Sequence, residues 1–164
     1  MYQTKLMFSV LLFLFAFHDV NAQHLEEGQP IEINGMEVSY RIVNERAVTV
    51  QREEFDRFEI MFTVKNNTGN CFNIRLTKSP DLSAINSGGL VQFFCSNATG
   101  AKMTSKKETI GMRQHNIVVT HKGQQVNAIA GYYFDDGDMR TEKATFIVPK
   151  GERPQIEAIA LATN

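Results

Sequence analysis

The sequence lacks tryptophan and contains little cysteine or proline: its 164 residues include no Trp, two Cys and four Pro. It also lacks an excess of either charge sign, since 17 basic residues face 18 acidic ones. Nucleic-acid-binding proteins normally carry a basic excess, and disordered chains contain fewer apolar residues than the 43% found here. The composition therefore favours an ordinary globular protein that does not bind nucleic acid.

Only one long hydrophobic run occurs, at the start of the chain. Lys5 precedes the apolar stretch Leu6 to Phe17, and a small residue, Ala22, follows shortly afterwards. This stretch is shorter than the roughly 20 residues that a membrane-spanning helix needs. A positive start, a short apolar run and a small residue are typical of a signal peptide. We therefore expect cleavage of residues 1–22, no stable membrane insertion afterwards, and a single domain over 23–164 that is secreted or periplasmic.

Short runs of alternating apolar and polar residues dominate the rest of the chain, which is the pattern of half-buried β-strands. The clearest are Met36 to Ile42, Phe58 to Lys65, Phe72 to Leu76, Val126 to Phe134 and Ala144 to Val148, and weaker ones are Ile31 to Ile33, Ala47 to Gln51, Leu90 to Asn97, Asn116 to Thr120 and Gln155 to Leu161. Gly, Asn and Asp turns separate them. The pattern predicts an all-β fold, an immunoglobulin-like antiparallel β-sandwich of about eight to nine strands, with Phe62 and Phe146 in its core.

The two cysteines, Cys71 and Cys95, lie near the ends of two predicted neighbouring strands. If 71–78 pairs antiparallel with 90–97, the two residues face each other at a spacing that a disulfide tolerates. An exported protein meets an oxidising compartment, so we predict a Cys71–Cys95 disulfide. A reactive or metal-binding thiol pair is the alternative, but no Cys-x-x-Cys spacing or adjacent histidine supports it.

Clustered carboxylates at Asp135, Asp136 and Asp138 are the weak candidate for a metal site, of the kind calcium prefers. Three acidic residues supply too few oxygens for calcium, and Asp136 followed by Gly137 between two alternating runs predicts a β-hairpin turn instead. His115 and His121, six positions apart on one strand, stand too far apart to chelate one ion. We expect no metal and no cofactor.

A basic stretch provides the first candidate binding surface. Ala101 to His115 contains one acid, Glu108, and four basic residues: Lys102, Lys106, Lys107 and Arg113. We expect Ala98 to Arg113 to form a long loop, because no strand pattern is present there. Long loops on a rigid scaffold often carry binding residues.

Tyr133 is the second candidate. In the alternating run that ends at Phe134, Tyr132 and Phe134 belong to the core face, which leaves Tyr133 and Gly131 on the opposite face. An aromatic ring there can stack against a sugar, although a tyrosine beside a glycine also simply covers bare backbone.

Catalytic motifs are missing from the sequence: no Gly-x-Ser-x-Gly elbow occurs, and the predicted disulfide leaves no thiol. The leading hypothesis is a non-enzymatic exported module that binds an unknown protein or glycan through its loops. One alternative is a structural or assembly subunit that uses an open sheet edge, and a less favoured one is a small extracellular hydrolase. Two sequons, at Asn66 and Asn97, would permit N-glycosylation in a eukaryotic source.

Overall fold

The computed structural model describes residues 22–75, 88–97 and 106–161. These residues form eleven strands and no helix: β1 Gln23–Leu25, β2 Ile31–Ile33, β3 Met36–Val50, β4 Glu53–Asn66, β5 Phe72–Arg75, β6 Gly89–Ser96, β7 Lys106–Gly111, β8 Arg113–His121, β9 Gln124–Phe134, β10 Met139–Pro149 and β11 Gln155–Ala160. Within these ranges no helix is long and apolar enough to cross a membrane. Except for Ala22, the predicted signal peptide lies outside the described residues.

The strands form three antiparallel sheets. The first sheet has the order β1-β11-β6-β7, the second has the order β10-β4-β3-β2, and the third has the order β5-β9-β8. The prediction of an all-β chain built from antiparallel sheets is therefore confirmed.

The β3–β4 hairpin is longer than its sequence pattern indicated. A register shift between Ile42 and Asn44 changes the phase of alternation, so that one strand reads in the sequence as two. At the tip, Gln51 and Arg52 adopt φ values of 51° and 72°. Two consecutive positive φ angles are typical of a tight hairpin turn whose twist matches that of the flanking strands.

Aromatic side chains join the first and second sheets. Phe62 of β4 is fully buried, and its ring centroid lies 4.4 Å from that of Phe93 in β6 and 6.1 Å from that of Phe146 in β10. From the third sheet, Tyr132 and Phe134 enter the same core. The predicted core positions Phe62, Phe146, Tyr132 and Phe134 are confirmed. Earlier in β9 the predicted alternation is wrong, because a bulge at Ala130 changes its phase and Ile129 packs against the core.

The predicted disulfide is wrong. Cys71 is an exposed free thiol just before β5, and Cys95 is a buried free thiol within β6. β5 pairs with β9, whereas β6 pairs with β7 and β11. The two cysteines therefore belong to different sheets, because alternation defines the face of a strand but not its partner.

The predicted hairpin at Asp136 and Gly137 is also wrong, although the turn itself forms. Gly137 has the expected positive φ, 77°. However, β9 lies in the third sheet and β10 in the second, so the turn connects two sheets. Asn66 at the end of β4 holds the turn through its main chain: its N–H donates to the Asp138 carbonyl (2.9 Å) and its carbonyl accepts from the Gly137 N–H (2.8 Å).

Candidate functional site

The outer face of the third sheet, opposite the core, collects polar side chains from three distant parts of the chain. In the strand register, Tyr133 of β9 pairs with Asn73 of β5 on one side and with Arg113 of β8 on the other. The next position on this face of β9 is Gly131, which pairs with His115 of β8. Directly opposed residues project from the same face of a sheet. This arrangement therefore brings an aromatic ring, an amide, a guanidinium and an imidazole to one surface.

A groove of about 760 Å³ runs over this face. We call it the outer groove; it is lined by Cys71, Asn73, His115, Gly131, Tyr133 and Asp135 on the face itself, and by Gln114 and Asn116 along β8. Its volume lies within the range of about 300–1,000 Å³ that is typical of small-molecule sites. Tyr133 is half-buried, whereas Asn73 and His115 are exposed. The lining thus combines hydrogen-bonding groups with the apolar residues Ile74, Ile117 and Ala130.

The positive charge of Arg113 is compensated. Its Nε and one terminal nitrogen donate to the two carboxylate oxygens of Asp138, at 3.1 and 3.2 Å. Such two-pronged pairing fixes the guanidinium plane. Asp138 also accepts from the Asp135 N–H at 3.3 Å. The pair therefore orients the Arg113 side chain and compensates its charge.

The acidic turn uses its oxygens within the protein. Asp138 binds Arg113, as described above, and Asp136 Oδ1 accepts from the Gly69 N–H at 2.9 Å. Over the ranges 22–75, 88–97 and 106–161, no group of three or more His, Cys, Asp or Glu side chains is positioned to hold a metal ion. At the weak calcium candidate Asp135, Asp136 and Asp138, the last two carboxylates are therefore engaged within the protein.

Cys71 lies at one end of the outer groove, beside Asp135. A hydrogen bond between the thiol and the Asp135 side chain is the main reason that the pKa of Cys71 lies above its usual value. The thiolate is the nucleophilic form of cysteine. Asp135 therefore disfavours that form.

The groove's histidine lies far from this thiol. Cys71 directly precedes Phe72, which pairs with Phe134, whereas His115 pairs with Gly131 further along β9. With a rise of about 3.3 Å per residue, the two positions are separated by roughly 10 Å or more along the sheet. A nucleophile and its base must come within hydrogen-bond reach, about 3 Å. Cys71 and His115 therefore do not form a catalytic pair in this conformation.

The predicted basic loop is divided in the structure. Lys106 and Lys107 belong to β7, which pairs with β6, so the expectation of a continuous loop over 98–113 is wrong. The Lys107 ammonium lies 5.2 Å from the centroid of the Phe94 ring, in the first sheet. Lys102 lies outside the described residues. Arg113 lies beside the outer groove through its pairing with Tyr133, although it is not among the residues that line the groove.

Tyr133 and Arg113 were singled out separately in the sequence, and the structure brings them together. Asn73, His115, Gln114 and Asn116 were not predicted as site residues. The period-two pattern of β8 would have placed His115 on the same face as Arg113, but its pairing with β9 has no local signal.

A second cavity, of about 530 Å³, lies on the other side of Tyr132. Its lining includes Gly88, Gly89, Gly111 and the side chains of Gln92 and Thr109. A Cβ atom on Gly88 would come within 2.6 Å of the Tyr132 ring. Gly88 therefore allows the backbone to approach the core side of this tyrosine.

Comparison with protein-family models and with characterised proteins finds no match. A solved structure titled "X-ray structure of Northeast Structural Genomics Consortium target SoR45" aligns over 80% of this chain and 89% of its own, with 10% sequence identity and a TM-score of 0.28. That TM-score is too low to support any argument about fold or function. The functional interpretation therefore depends on the outer groove itself.

Proposed function

We propose that this chain is a non-enzymatic binding module that holds a neutral glycan in the outer groove. The observation that carries the proposal is the row Asn73–Tyr133–Arg113 across three strands, with Gly131 next to the tyrosine. A tyrosine side chain offers both an apolar ring face and a polar hydroxyl. The adjacent position on this face, Gly131, has no side chain that could project over the groove, and its backbone is buried.

The chemistry of the lining favours a neutral sugar over a charged ligand. The Asn73 amide, on the same face as Tyr133, can both donate to and accept from hydroxyl groups. Arg113 is neutralised by Asp138, so it contributes fixed donors rather than a net charge. The concave shape also favours a small ligand over a flat protein surface.

Two features support a binding role over hydrolysis. Asp135 disfavours the thiolate of Cys71, and the strand register keeps that thiol far from His115. The carboxylates of Asp136 and Asp138 are engaged with Gly69 and Arg113. Activated nucleophiles normally have the opposite environment, with a nearby base or cation.

The proposal includes export, with cleavage after residue 22 and a secreted or periplasmic location. An immunoglobulin-like sandwich formed by the first and second sheets belongs to the same proposal, and the contact between the Phe62 and Phe93 rings supports it. Intact-mass measurement of secreted protein tests the cleavage. We expect the mass of a chain that begins at Gln23. A mass that includes residues 1–22 would contradict the proposed cleavage.

Isothermal titration against a panel of neutral oligosaccharides tests the binding function. We expect at least one to bind, with Tyr133→Ala weakening affinity by at least about tenfold, since loss of a buried aromatic contact at a site costs more than about 1.4 kcal/mol. Tyr133→Phe keeps the ring and should retain most of the affinity. Lys143→Ala, at an exposed position of β10 in the second sheet, is the matched control and should bind as the parent does. Equal binding by Tyr133→Ala and the parent would refute the assignment.

An assembly role is the second candidate, and one observation favours it. The outer edge of β8, Arg113–His121, has no pairing strand among the described residues. An open edge of this kind can accept a strand from another chain.

A further inference from the structure

β8 differs from the other sheet edges that the structure describes. The edge strands β1, β2 and β5 have only three or four residues each. β7 carries Lys107, and β10 carries Lys143 and ends at Pro149. Short length, lysine and proline are common means of protecting a strand edge from unwanted pairing. β8 extends over nine residues and contains neither lysine nor proline.

The long β3 edge is protected in another way. Beyond the short β2 strand, the Tyr40 carbonyl accepts from the Gly28 N–H at 2.9 Å, and the Ile42 N–H donates to the Glu27 carboxylate at 3.1 Å. A register shift follows between Ile42 and Asn44. In the β8–β9 pair, by contrast, the extra residue of the bulge, Ala130, is on β9. β8 itself thus remains a regular strand.

The middle of β8 is apolar, with an exposed valine between two half-buried residues. Ile117, Val118 and Val119 are consecutive, and Val118 is 64% exposed, the highest value among the large hydrophobic residues described as exposed. β-branched residues favour strand pairing and pack well against one another across strands. β8 has no acidic residue, so pairing requires no lysine on the partner strand to balance a negative charge.

We propose that β8 pairs antiparallel with β8 of a second copy of this chain, about a two-fold axis at Val118. In this register Val118 opposes its own copy, and Ile117 opposes Val119 of the partner on both sides of the axis. Arg113 falls outside the overlap, so the two guanidinium groups do not oppose each other. Shifting the axis to Ile117 would instead oppose Asn116 with Val118, which leaves an apolar side chain beside an amide. The self-complementary apolar centre thus favours a second copy as the occupant.

Such pairing would extend the third sheet across the two copies. A two-fold axis perpendicular to a sheet places both outer grooves on the same face. If the outer groove binds a glycan as proposed above, the dimer presents two sites to one multivalent ligand. The dimer itself does not depend on that function, because its test needs no ligand.

Sedimentation velocity of the purified full chain tests the association. Concentrations from about 1 μM to about 500 μM cover the dissociation constants expected of weak but specific interfaces. We expect a concentration-dependent dimer. Val118→Lys should raise the dissociation constant at least about tenfold, because two like charges then oppose each other at the axis. Met139→Lys, which changes a similarly exposed hydrophobic residue on β10, is the control and should dimerise as the parent does. A monomer at every concentration would overturn the proposal.

Charge complementation tests the two-fold axis. Val118→Lys and Val118→Glu should each be weakened alone and should form a heterodimer when mixed, since the opposed charges become complementary. Circular dichroism and the unfolding midpoint confirm that each variant is folded. Failure of the mixture to associate, with both variants folded, would contradict the axis at Val118.

Cross-linking tests the register. In a Cys71→Ser background, Val118→Cys should form a disulfide-linked dimer under mild oxidation, because directly opposed residues have Cα atoms about 4.5–5.5 Å apart. Thr120→Cys, on the same face of β8, is the control: its two copies would be separated by roughly 13 Å along the strands. Efficient cross-linking at position 120 but not at position 118 would exclude the proposed register.

Discussion

Asn66 is the buried polar residue on which the junction between the second and third sheets depends. Its side chain is fully buried, and its Nδ2 donates to the Asn70 carbonyl (2.7 Å) and to the buried Phe134 carbonyl (3.0 Å). Its Oδ1 accepts from the Thr68 N–H (3.0 Å) and hydroxyl (2.6 Å). One amide thus holds the connection after β4 and the end of β9.

Replacing Asn66 with alanine removes all four side-chain bonds but preserves the two main-chain bonds. The buried Phe134 carbonyl loses this donor, which costs about 1–3 kcal/mol. The bonds to Asn70 and Thr68 are partly accessible to water, so together they add roughly 1–2 kcal/mol. We therefore expect Asn66→Ala to lower the free energy of unfolding by about 2–5 kcal/mol, a large share of the stability of a typical domain.

Urea unfolding monitored by circular dichroism measures this loss. Asn67→Ala is the matched control, because this neighbouring amide is exposed and donates to half-buried Glu37 at 3.2 Å; its cost should be below about 1 kcal/mol. Asn66→Asp keeps the acceptor oxygens and loses both donors, so it should be destabilising as well. If Asn66→Ala and Asn67→Ala unfold at the same urea concentration, the reasoning is refuted.

Three further predictions concern modification, thiol reactivity and packing. The sequons at Asn66 and Asn97 should stay unmodified in folded protein from a eukaryotic host, because both side chains are buried; a mass shift after glycosidase treatment would contradict this. Alkylation of Cys71 should require higher pH than a free cysteine, since the raised pKa delays thiolate formation as pH rises, and Asp135→Asn should shift the rate profile to lower pH; an unchanged profile would exclude the hydrogen bond as the cause. Gly88→Ala should destabilise the fold by roughly 1–3 kcal/mol through overpacking against a core tyrosine; unfolding at the same midpoint as the parent would show that the ring moves freely.

Local patterns predicted the strands that are buried on one face. β4 alternates clearly because one of its sides faces the core. At the end of β9, alternation between buried Tyr132 and Phe134 also placed Tyr133 on the outer face. β7 was missed because its residues Lys106 to Thr109 are polar or charged. Pairing with β6 gives that segment its strand conformation, and no local propensity reports such pairing.

Strand partners could not be predicted in the same way. The alternation that identified Phe72 as a strand residue is equally compatible with pairing to β6 or to β9. Choosing the wrong partner produced the incorrect disulfide between Cys71 and Cys95. For the same reason Asn73 was not recognised as a neighbour of Tyr133, since only the long-range pairing of β5 with β9 brings them together.

NMR chemical-shift mapping tests the central claim, that the outer groove is the binding site, most directly. The chain would be titrated with the neutral oligosaccharide that the calorimetric panel identifies. The account predicts that backbone amide shifts concentrate at Asn73, His115, Gly131 and Tyr133, with little change at Lys107 in β7. Shifts concentrated in β7 or β10, or none at saturating concentrations of every neutral sugar in the panel, would contradict it.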